Sequence, residues 1–234
     1  KKYDKWVNLS ESVEGTWLAL GDRMSSKWPQ SVRQKHMNYN YFQFQHELAE
    51  IPWKGAPEHK FYATIEEKNW ALERRIEFKA SPVILWALNG SSVHKVWPHI
   101  DQIFARLLLT YPECKIITCG DDKSKILDQP WEHEKRVIRT AGTWGIRQTL
   151  AFAQIADLVV GPETGVLSAV SMCAMPKIVL LSHSSVENLT KGWENTYSLH
   201  SSVTPCHPCH KMIYKWSECN KDEATGVAHC QANI

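Results

Sequence analysis

The strongest constraint on the fold is a regular alternation of strand-length apolar runs and helical segments, which begins at Pro82 and continues to Leu181. The predicted strands are Val83–Leu88, Lys115–Cys119, Val137–Ile138, Asp157–Val160 and Lys177–Leu181. The predicted helices are Ile100–Leu109, Asp121–Leu127, Ile146–Ile155 and Thr164–Ala174. A strand–helix–strand repeat brings successive strands side by side in one direction, with right-handed crossovers. The sequence therefore predicts an α/β protein with a Rossmann-like parallel sheet.

The residues before Pro82 follow a less regular pattern. They predict a strand at Lys5–Leu9, a helix at Glu14–Leu20, a short helix at Phe44–Glu50 and a charged helix at Ile65–Glu77. We expect residues 1–81 to form part of a first α/β domain that ends in a linker helix. Residues 82–234 are expected to form the ligand-binding domain, with a cysteine-rich extension at its carboxyl end.

Composition excludes several classes of protein. The chain has 234 residues, of which 43% are hydrophobic and 22% are charged, a balance typical of soluble globular domains. The net charge of only +2 gives no support to nucleic-acid binding. The longest apolar runs are too short to span a bilayer, and the opening Lys-Lys-Tyr-Asp does not resemble a signal peptide.

The turn after the fourth predicted strand carries suitable chemistry for a ligand. It reads Gly-Pro-Glu-Thr-Gly over residues 161–165 and runs directly into a predicted helix. The Glu163 carboxylate can accept hydrogen bonds from sugar hydroxyls, and the backbone N–H groups of Thr164 and Gly165 can face phosphate. The alternative is an ordinary turn, in which Gly165 relieves strain and Thr164 caps the helix.

The loop after the first predicted strand, residues 89–98, offers complementary groups. Gly90 allows close approach of the backbone, Ser91 and Ser92 supply hydroxyls, and Lys95 supplies a cation that suits a diphosphate. The alternative is a surface lysine with serines that cap the next helix, and the spacing is not that of a Walker loop. Ligands of doubly wound sheets bind beyond the carboxyl ends of the strands, so we expect the two loops to form one site.

Several motifs together resemble a known family. The segment 91–98, with Lys95 followed by Trp97-Pro98, resembles the donor-binding loop of family 9 glycosyltransferases, the ADP-heptose:lipopolysaccharide heptosyltransferases. Asp157–Gly165 is similar to the strand that leads into that family's Asp-Thr-Gly turn, and the Cys206-His-Pro-Cys tail is similar to that of some members. The resemblance covers about residues 82–234 and implies the second domain of a GT-B fold, with residues 1–81 as part of the first, acceptor-side domain.

The resemblance implies an inverting transferase that moves a heptose-like sugar from a nucleotide-diphosphate sugar, with ADP-sugar favoured, to a glycan or lipopolysaccharide-type acceptor. It implies that Ser91 and Lys95 contact the diphosphate, that the amides of Thr164 and Gly165 lie beside the donor, and that no cofactor is required. With Ser92 and Glu163, whose chemistry is described above, these are the expected donor-binding residues, and the low net charge gives no nucleic-acid partner. We expect a cytoplasmic location with at most peripheral contact with the inner membrane. Glu163 stands where the family usually has Asp, and Ser168 where many members have His. No segment matches the family's catalytic base, so a non-catalytic nucleotide- or carbohydrate-binding module is the alternative.

The last thirty residues, 205–234, carry a separate cluster of cysteines: Cys206, Cys209, Cys219 and Cys230. We call this segment the cysteine tail. The first pair has the spacing of a zinc site, whereas the second pair is too far apart for the usual pattern. Structural zinc, haem attachment at Cys-x-x-Cys-His, a disulfide and a set of reduced thiols are the alternatives, and a cytosolic location disfavours the disulfide.

Overall fold

The computed structural model of the chain describes residues 4–9, 19–20, 24–57 and 60–234. Its strands are β1 (Ala19–Leu20), β2 (Val83–Ala87), β3 (Lys115–Cys119), β4 (Val137–Arg139), β5 (Leu158–Pro162), β6 (Lys177–Leu181), β7 (Thr196–His200) and β8 (Lys211–Met212). Six of them form one parallel sheet in the order β4-β3-β2-β5-β6-β7, while β1 pairs with β8. The order reverses between β2 and β5, which is where such sheets bind ligands. The predicted α/β class with a parallel sheet is confirmed.

Helices cover both faces of this sheet. They are α1 (Gln30–Met37), α2 (Tyr41–Ala49), α3 (Ile65–Glu77), α4 (Ile100–Thr110), α5 (Ile146–Ala153), α6 (Gly165–Ala169) and α7 (His229–Ala232). On one face, Leu85 of β2 lies in a core with Phe152 of α5 and Ala71 of α3. On the other face, the neighbouring Trp86 packs against Phe104 of α4, with ring centroids 5.1 Å apart. Because both faces are buried, the central strands are continuous apolar runs.

Gly161 allows β5 to lie close to β2 at the point where the strand order reverses. A Cβ atom at this position would lie 2.7 Å from the Cβ and 2.8 Å from the carbonyl oxygen of Ala87. A side chain here would therefore push the two strands apart and displace the loops that follow them.

The charged helix α3 has the predicted bounds, and its start is fixed by a capping box. The backbone N–H of Glu67 donates to Thr64 Oγ1 at 3.2 Å, and the N–H of Thr64 donates to Glu67 Oε2 at 2.8 Å. Trp70 of α3 packs edge-on against Trp144 near α5, with ring centroids 4.9 Å apart. The helix is thus exposed on one side and packed against the main sheet's helical layer on the other.

The first part of the chain also contacts the cysteine tail. Arg33 Nε of α1 donates to the Cys209 carbonyl at 3.1 Å, and Gln30 Nε2 donates to the Pro205 carbonyl at 2.6 Å. Together with the β1–β8 pair, these bonds connect residues 1–81 with residues 82–234. The division into two domains at residue 81 stays a prediction. No helix in the described ranges is long and apolar enough to cross a membrane.

Several predicted elements differ from the structure. Lys5–Leu9 is not a strand, which corrects the prediction; in the described part of the chain no strand lies beside it to complete its hydrogen bonds. Most of the predicted helix Glu14–Leu20 lies outside the described residues, and its last two residues form β1. The predicted helix Thr164–Ala174 ends at Ala169, after which turns with i to i−3 hydrogen bonds lead to β6.

Candidate functional site

A cleft of about 1180 Å³ lies at the carboxyl ends of β2, β3, β5 and β6. The loops after β2 and β5 form its centre, and the segment Gly142–Ile146 after β4 forms one side. Tyr41 and Phe42 of α2 contribute to another wall. The cleft therefore lies at the reversal of strand order, where the sequence predicted a site.

Lys95 is a buried residue in the wall of this cleft. It ends the short 3₁₀ turn Val93–Lys95 and is only 4% exposed, and its Nζ donates a hydrogen bond of 2.8 Å to the carbonyl oxygen of Glu163. The stem of Lys95 crosses directly over Gly90, because a Cβ atom on Gly90 would lie 2.5 Å from Lys95 Cδ. Burial lowers the pKa of Lys95, and the negative charge of Glu163 opposes that effect.

Glu163 binds the loop after β6 with its side chain. Oε1 accepts hydrogen bonds from the backbone N–H groups of Ser182 at 2.8 Å and Ser184 at 3.0 Å, and Oε2 accepts from Ser182 Oγ at 2.6 Å. His183 Nδ1 lies 3.3 Å from Oε2. Burial raises the pKa of Glu163, but His183, Lys95 and the Ser182 hydroxyl outweigh it, so the pKa lies well below the ordinary 4.5. The carboxylate is therefore charged at neutral pH.

The segment Ser182–Ser184, which we call the β6 loop, is held from its other side by the cysteine tail. The backbone N–H of His210 donates to the His183 carbonyl at 2.9 Å, and His207 Nδ1 lies 2.9 Å from the Ser182 carbonyl. The loop is thus fixed between Glu163 and the tail. Such two-sided fixation restricts the orientation of the side chains that it carries.

The structure places five of the six predicted donor-binding residues in the wall of the cleft: Ser91, Lys95, Glu163, Thr164 and Gly165. Ser92 is only 4% exposed and lies outside this wall; its Oγ donates to the Ile213 carbonyl at 2.6 Å and accepts from the Ile213 N–H at 3.1 Å. The Oγ1 of Thr164 is buried without a hydrogen-bond partner among the described residues. Contact of these residues with a donor stays a prediction.

Histidines surround the β6 loop. Burial lowers the pKa of His94 to about 3, and the nearby His183 and Lys95 also lower it. Burial likewise lowers the pKa of His210 to about 3, and the neighbouring His183 and His207 also lower it. Both rings are therefore neutral at pH 7. The charged group beside His183 is the buried carboxylate of Glu163.

The cysteine tail contains free thiols. Burial raises the pKa of Cys209 to about 12 and also raises that of Cys230, and the tail's other cysteines contribute in the same direction. Across the described ranges, no three His, Cys, Asp or Glu side chains are arranged to hold a metal ion. The zinc site at Cys206, Cys209, Cys219 and Cys230 stays a prediction.

The β6 loop was not among the predicted site residues. The signal that could have found it is its position, because Ser-His-Ser follows the predicted strand Lys177–Leu181 directly. In a parallel sheet, that places these residues at the same edge as the loops after β2 and β5.

Comparison with known proteins bears on the fold. No protein-family model matches the chain, and no curated protein matches its sequence. Among solved structures, it aligns with E. coli ADP-heptose LPS heptosyltransferase II at a TM-score of 0.54 and 14% identity, over 73% of this chain and 51% of that one. It aligns with the family 9 glycosyl transferase from Veillonella parvula DSM 2008 at a TM-score of 0.56 and 15% identity, over 69% and 49%.

The fold is that of the family 9 glycosyltransferases. This confirms the predicted GT-B-like, Rossmann-like architecture. The chain spans about half the length of these two family 9 glycosyltransferase structures. At this level of identity, the likeness establishes the fold, and the chemistry depends on the residues of the cleft.

Proposed function

We propose that the chain binds a nucleotide-diphosphate sugar and transfers the sugar to an acceptor hydroxyl. The observation that carries the proposal is the buried amino group of Lys95 beside the Thr164–Gly165 turn, in one cleft at the reversal of strand order. A protonated lysine has three donors. Glu163 O accepts one of them, which leaves donor capacity for a phosphate oxygen in the cleft.

The transfer is a direct displacement at the anomeric carbon. The acceptor oxygen forms a bond to that carbon, and the bond from the carbon to the diphosphate breaks with its electron pair on the leaving group. Lys95 stabilises the negative charge that develops on the diphosphate, and a low-dielectric site strengthens this effect. Inversion at the anomeric carbon, an ADP-heptose-like donor, a lipopolysaccharide-type acceptor and a cytoplasmic location follow from the family resemblance and are part of the proposal.

A non-catalytic binding module is the second candidate. It is favoured by two substitutions in the turn and helix of the site: Glu163 directs its carboxylate to the β6 loop, and Ser168 replaces the histidine of many members. A module of this kind binds the nucleotide sugar but does not release nucleotide diphosphate. Binding and turnover must therefore be measured separately.

The first experiment is a calorimetric screen of ADP-, UDP- and GDP-sugars, followed by Lys95→Met. Methionine keeps most of the stem that packs over Gly90 but removes the charge. Loss of one charge-assisted hydrogen bond of about 1.5–3 kcal/mol predicts a donor affinity that is lower by about 10- to 100-fold. The matched control is Lys191→Met, which removes an exposed lysine paired with Glu187. If no donor binds, or if both variants bind as the wild type does, the proposal fails.

A further inference from the structure

The β6 loop brings a histidine–carboxylate pair to the wall of the cleft. His183 Nδ1 lies 3.3 Å from Glu163 Oε2, and the two residues are 3% and 6% exposed. Both contribute to the same cleft as Lys95. Glu163 therefore contacts two groups at once: its carbonyl oxygen accepts the hydrogen bond of Lys95, and its carboxylate faces His183.

The charge on Glu163 determines which nitrogen of His183 carries the proton. A carboxylate only accepts hydrogen bonds, so the ring nitrogen that faces it has to be the donor. In the neutral imidazole, Nδ1 then carries the hydrogen and Nε2 keeps its lone pair. The Ser184 hydroxyl lies 3.4 Å from Nε2, where it can donate a weak hydrogen bond to that lone pair.

The backbone around His183 is fixed on both sides. The residues on either side of His183, Ser182 and Ser184, donate their backbone N–H groups to the Glu163 carboxylate. The backbone N–H of His210 donates to the carbonyl oxygen of His183. A group held in this way loses little freedom when it reacts, which is what proton transfer in an active site requires.

The charged and titratable groups that face His183 come from three parts of the fold. Glu163 approaches from the end of β5, and His94 and Lys95 approach from the turn after β2. The rings of His94 and His183 meet edge-on, with centroids 5.1 Å apart. His207 and His210 approach from the cysteine tail.

We propose that His183 is the general base of the transfer reaction, with Glu163 as its orienting partner. Nε2 of His183 takes the proton of the acceptor hydroxyl as that oxygen bonds to the anomeric carbon. The diphosphate leaves with the electron pair of the broken bond, and Lys95 stabilises its charge. The imidazolium that forms is balanced by the Glu163 carboxylate, as in other histidine–carboxylate pairs. The inference deepens the proposed function and rests on it.

The decisive variant is His183→Asn. The side-chain amide of asparagine places a donor close to the position of Nδ1, so the contact with Glu163 is kept while Nε2 is removed. The matched control is His133→Asn, because His133 Nε2 also lies 3.3 Å from a glutamate oxygen, of Glu132, but the side chain is 93% exposed. The readouts are donor affinity by calorimetry and release of nucleotide diphosphate from the ADP-, UDP- or GDP-sugar that binds, with water as the acceptor.

We expect His183→Asn to lower the release rate by about 10²- to 10⁴-fold and to leave donor affinity within threefold of the wild type. We also expect the wild-type rate to fall at acid pH, since a protonated imidazole cannot accept a proton, and this fall to be absent from the residual rate of His183→Asn. His133→Asn should match the wild type in both readouts.

Two results would overturn the role of His183 as a base. One is a release rate in His183→Asn within threefold of the wild type, and the other is a loss of donor affinity as large as the loss of rate. A wild-type chain that binds a donor without releasing nucleotide diphosphate would overturn the base and leave the binding site in place. A chain that binds no donor would overturn both the proposed function and the role of His183 as its base.

Discussion

The buried carboxylate of Glu163 provides the sharpest test of how the site is held together. Glu163→Ala removes the acceptor of two buried backbone N–H groups, those of Ser182 and Ser184. A buried donor that loses its partner costs about 1–3 kcal/mol. Once the carboxylate is gone, His183 is free to adopt the tautomer with an unprotonated Nδ1, which lies 3.3 Å from the Ser182 hydroxyl and can accept its hydrogen bond, so this hydroxyl adds little to the cost. We therefore expect the free energy of unfolding to fall by about 4 kcal/mol.

Glu163→Gln removes the negative charge of the side chain but keeps its size and a carbonyl oxygen that accepts hydrogen bonds. Its carbonyl oxygen can still accept the two backbone N–H groups, and its amide can donate to Ser182 Oγ, so we expect a loss of about 1–2 kcal/mol. For a chain of this size, 1 kcal/mol corresponds to about 2–4 °C in Tm, so the alanine variant should melt about 8–16 °C below the wild type. Because the pKa of Glu163 lies well below 4.5, its stabilisation is complete above that pH and is lost only as the pH falls below it.

The assay is urea unfolding followed by circular dichroism at pH 7, with thermal melts in parallel. Glu187→Ala is the control, because this exposed glutamate makes an i,i+4 pair with Lys191 that is worth about 0.5 kcal/mol or less. If Glu163→Ala costs less than about 1 kcal/mol, the carboxylate does not hold the β6 loop, and the reasoning is refuted.

Three further predictions concern the surroundings of the cleft. Gly90→Ala places a methyl group 2.5 Å from Lys95 Cδ, so the buried stem of Lys95 has to move and calorimetry should find weaker donor binding; unchanged affinity would contradict the packing of Lys95 over Gly90. His94 and His210 have pKa values of about 3 in the folded chain and about 6.5 when unfolded, so the unfolded state binds more protons between these values. Urea unfolding should therefore find stability lost as the pH falls, by up to about 1 kcal/mol per histidine between pH 6.5 and 5.5, and a flat profile would contradict their burial. Because the pKa of Cys209 is about 12, mass spectrometry should find its alkylation at pH 8 about 10³-fold slower than that of a free thiol; rapid alkylation, or one zinc per chain by metal analysis, would contradict a buried, reduced thiol.

The central part of the fold follows from the sequence for a simple physical reason. Strands such as Val83–Ala87 are buried on both faces, so every residue is apolar and the run is easy to recognise. The edge strand Thr196–His200 was missed because its outer side is exposed; Tyr197 and Leu199 are 63% and 45% accessible. A half-exposed strand of five residues has little apolar signal.

The location of the site could be predicted, but the direction of its side chains could not. Lys95 and Glu163 lie in one cleft because parallel strands end at one edge of the sheet. The Glu163 carboxylate instead binds a loop that follows 19 residues later, and the Ser92 hydroxyl binds Ile213, 121 residues away. Such partners are set by tertiary packing, which the local sequence around Glu163 and Ser92 does not encode.

The pairing of β2 with β5 also sets when the cleft can form during folding. The Val83 N–H donates to the Asp157 carboxylate across 74 residues, and Ile84 pairs with Leu158 in the same register. Contacts between such distant residues form slowly, because the chain between them must first be ordered. Lys95 and Glu163 therefore lie in one cleft only when β5 is paired with β2. Formation of the cleft is thus tied to the pairing of β5 with β2, and a chain that lacks this pairing lacks the cleft.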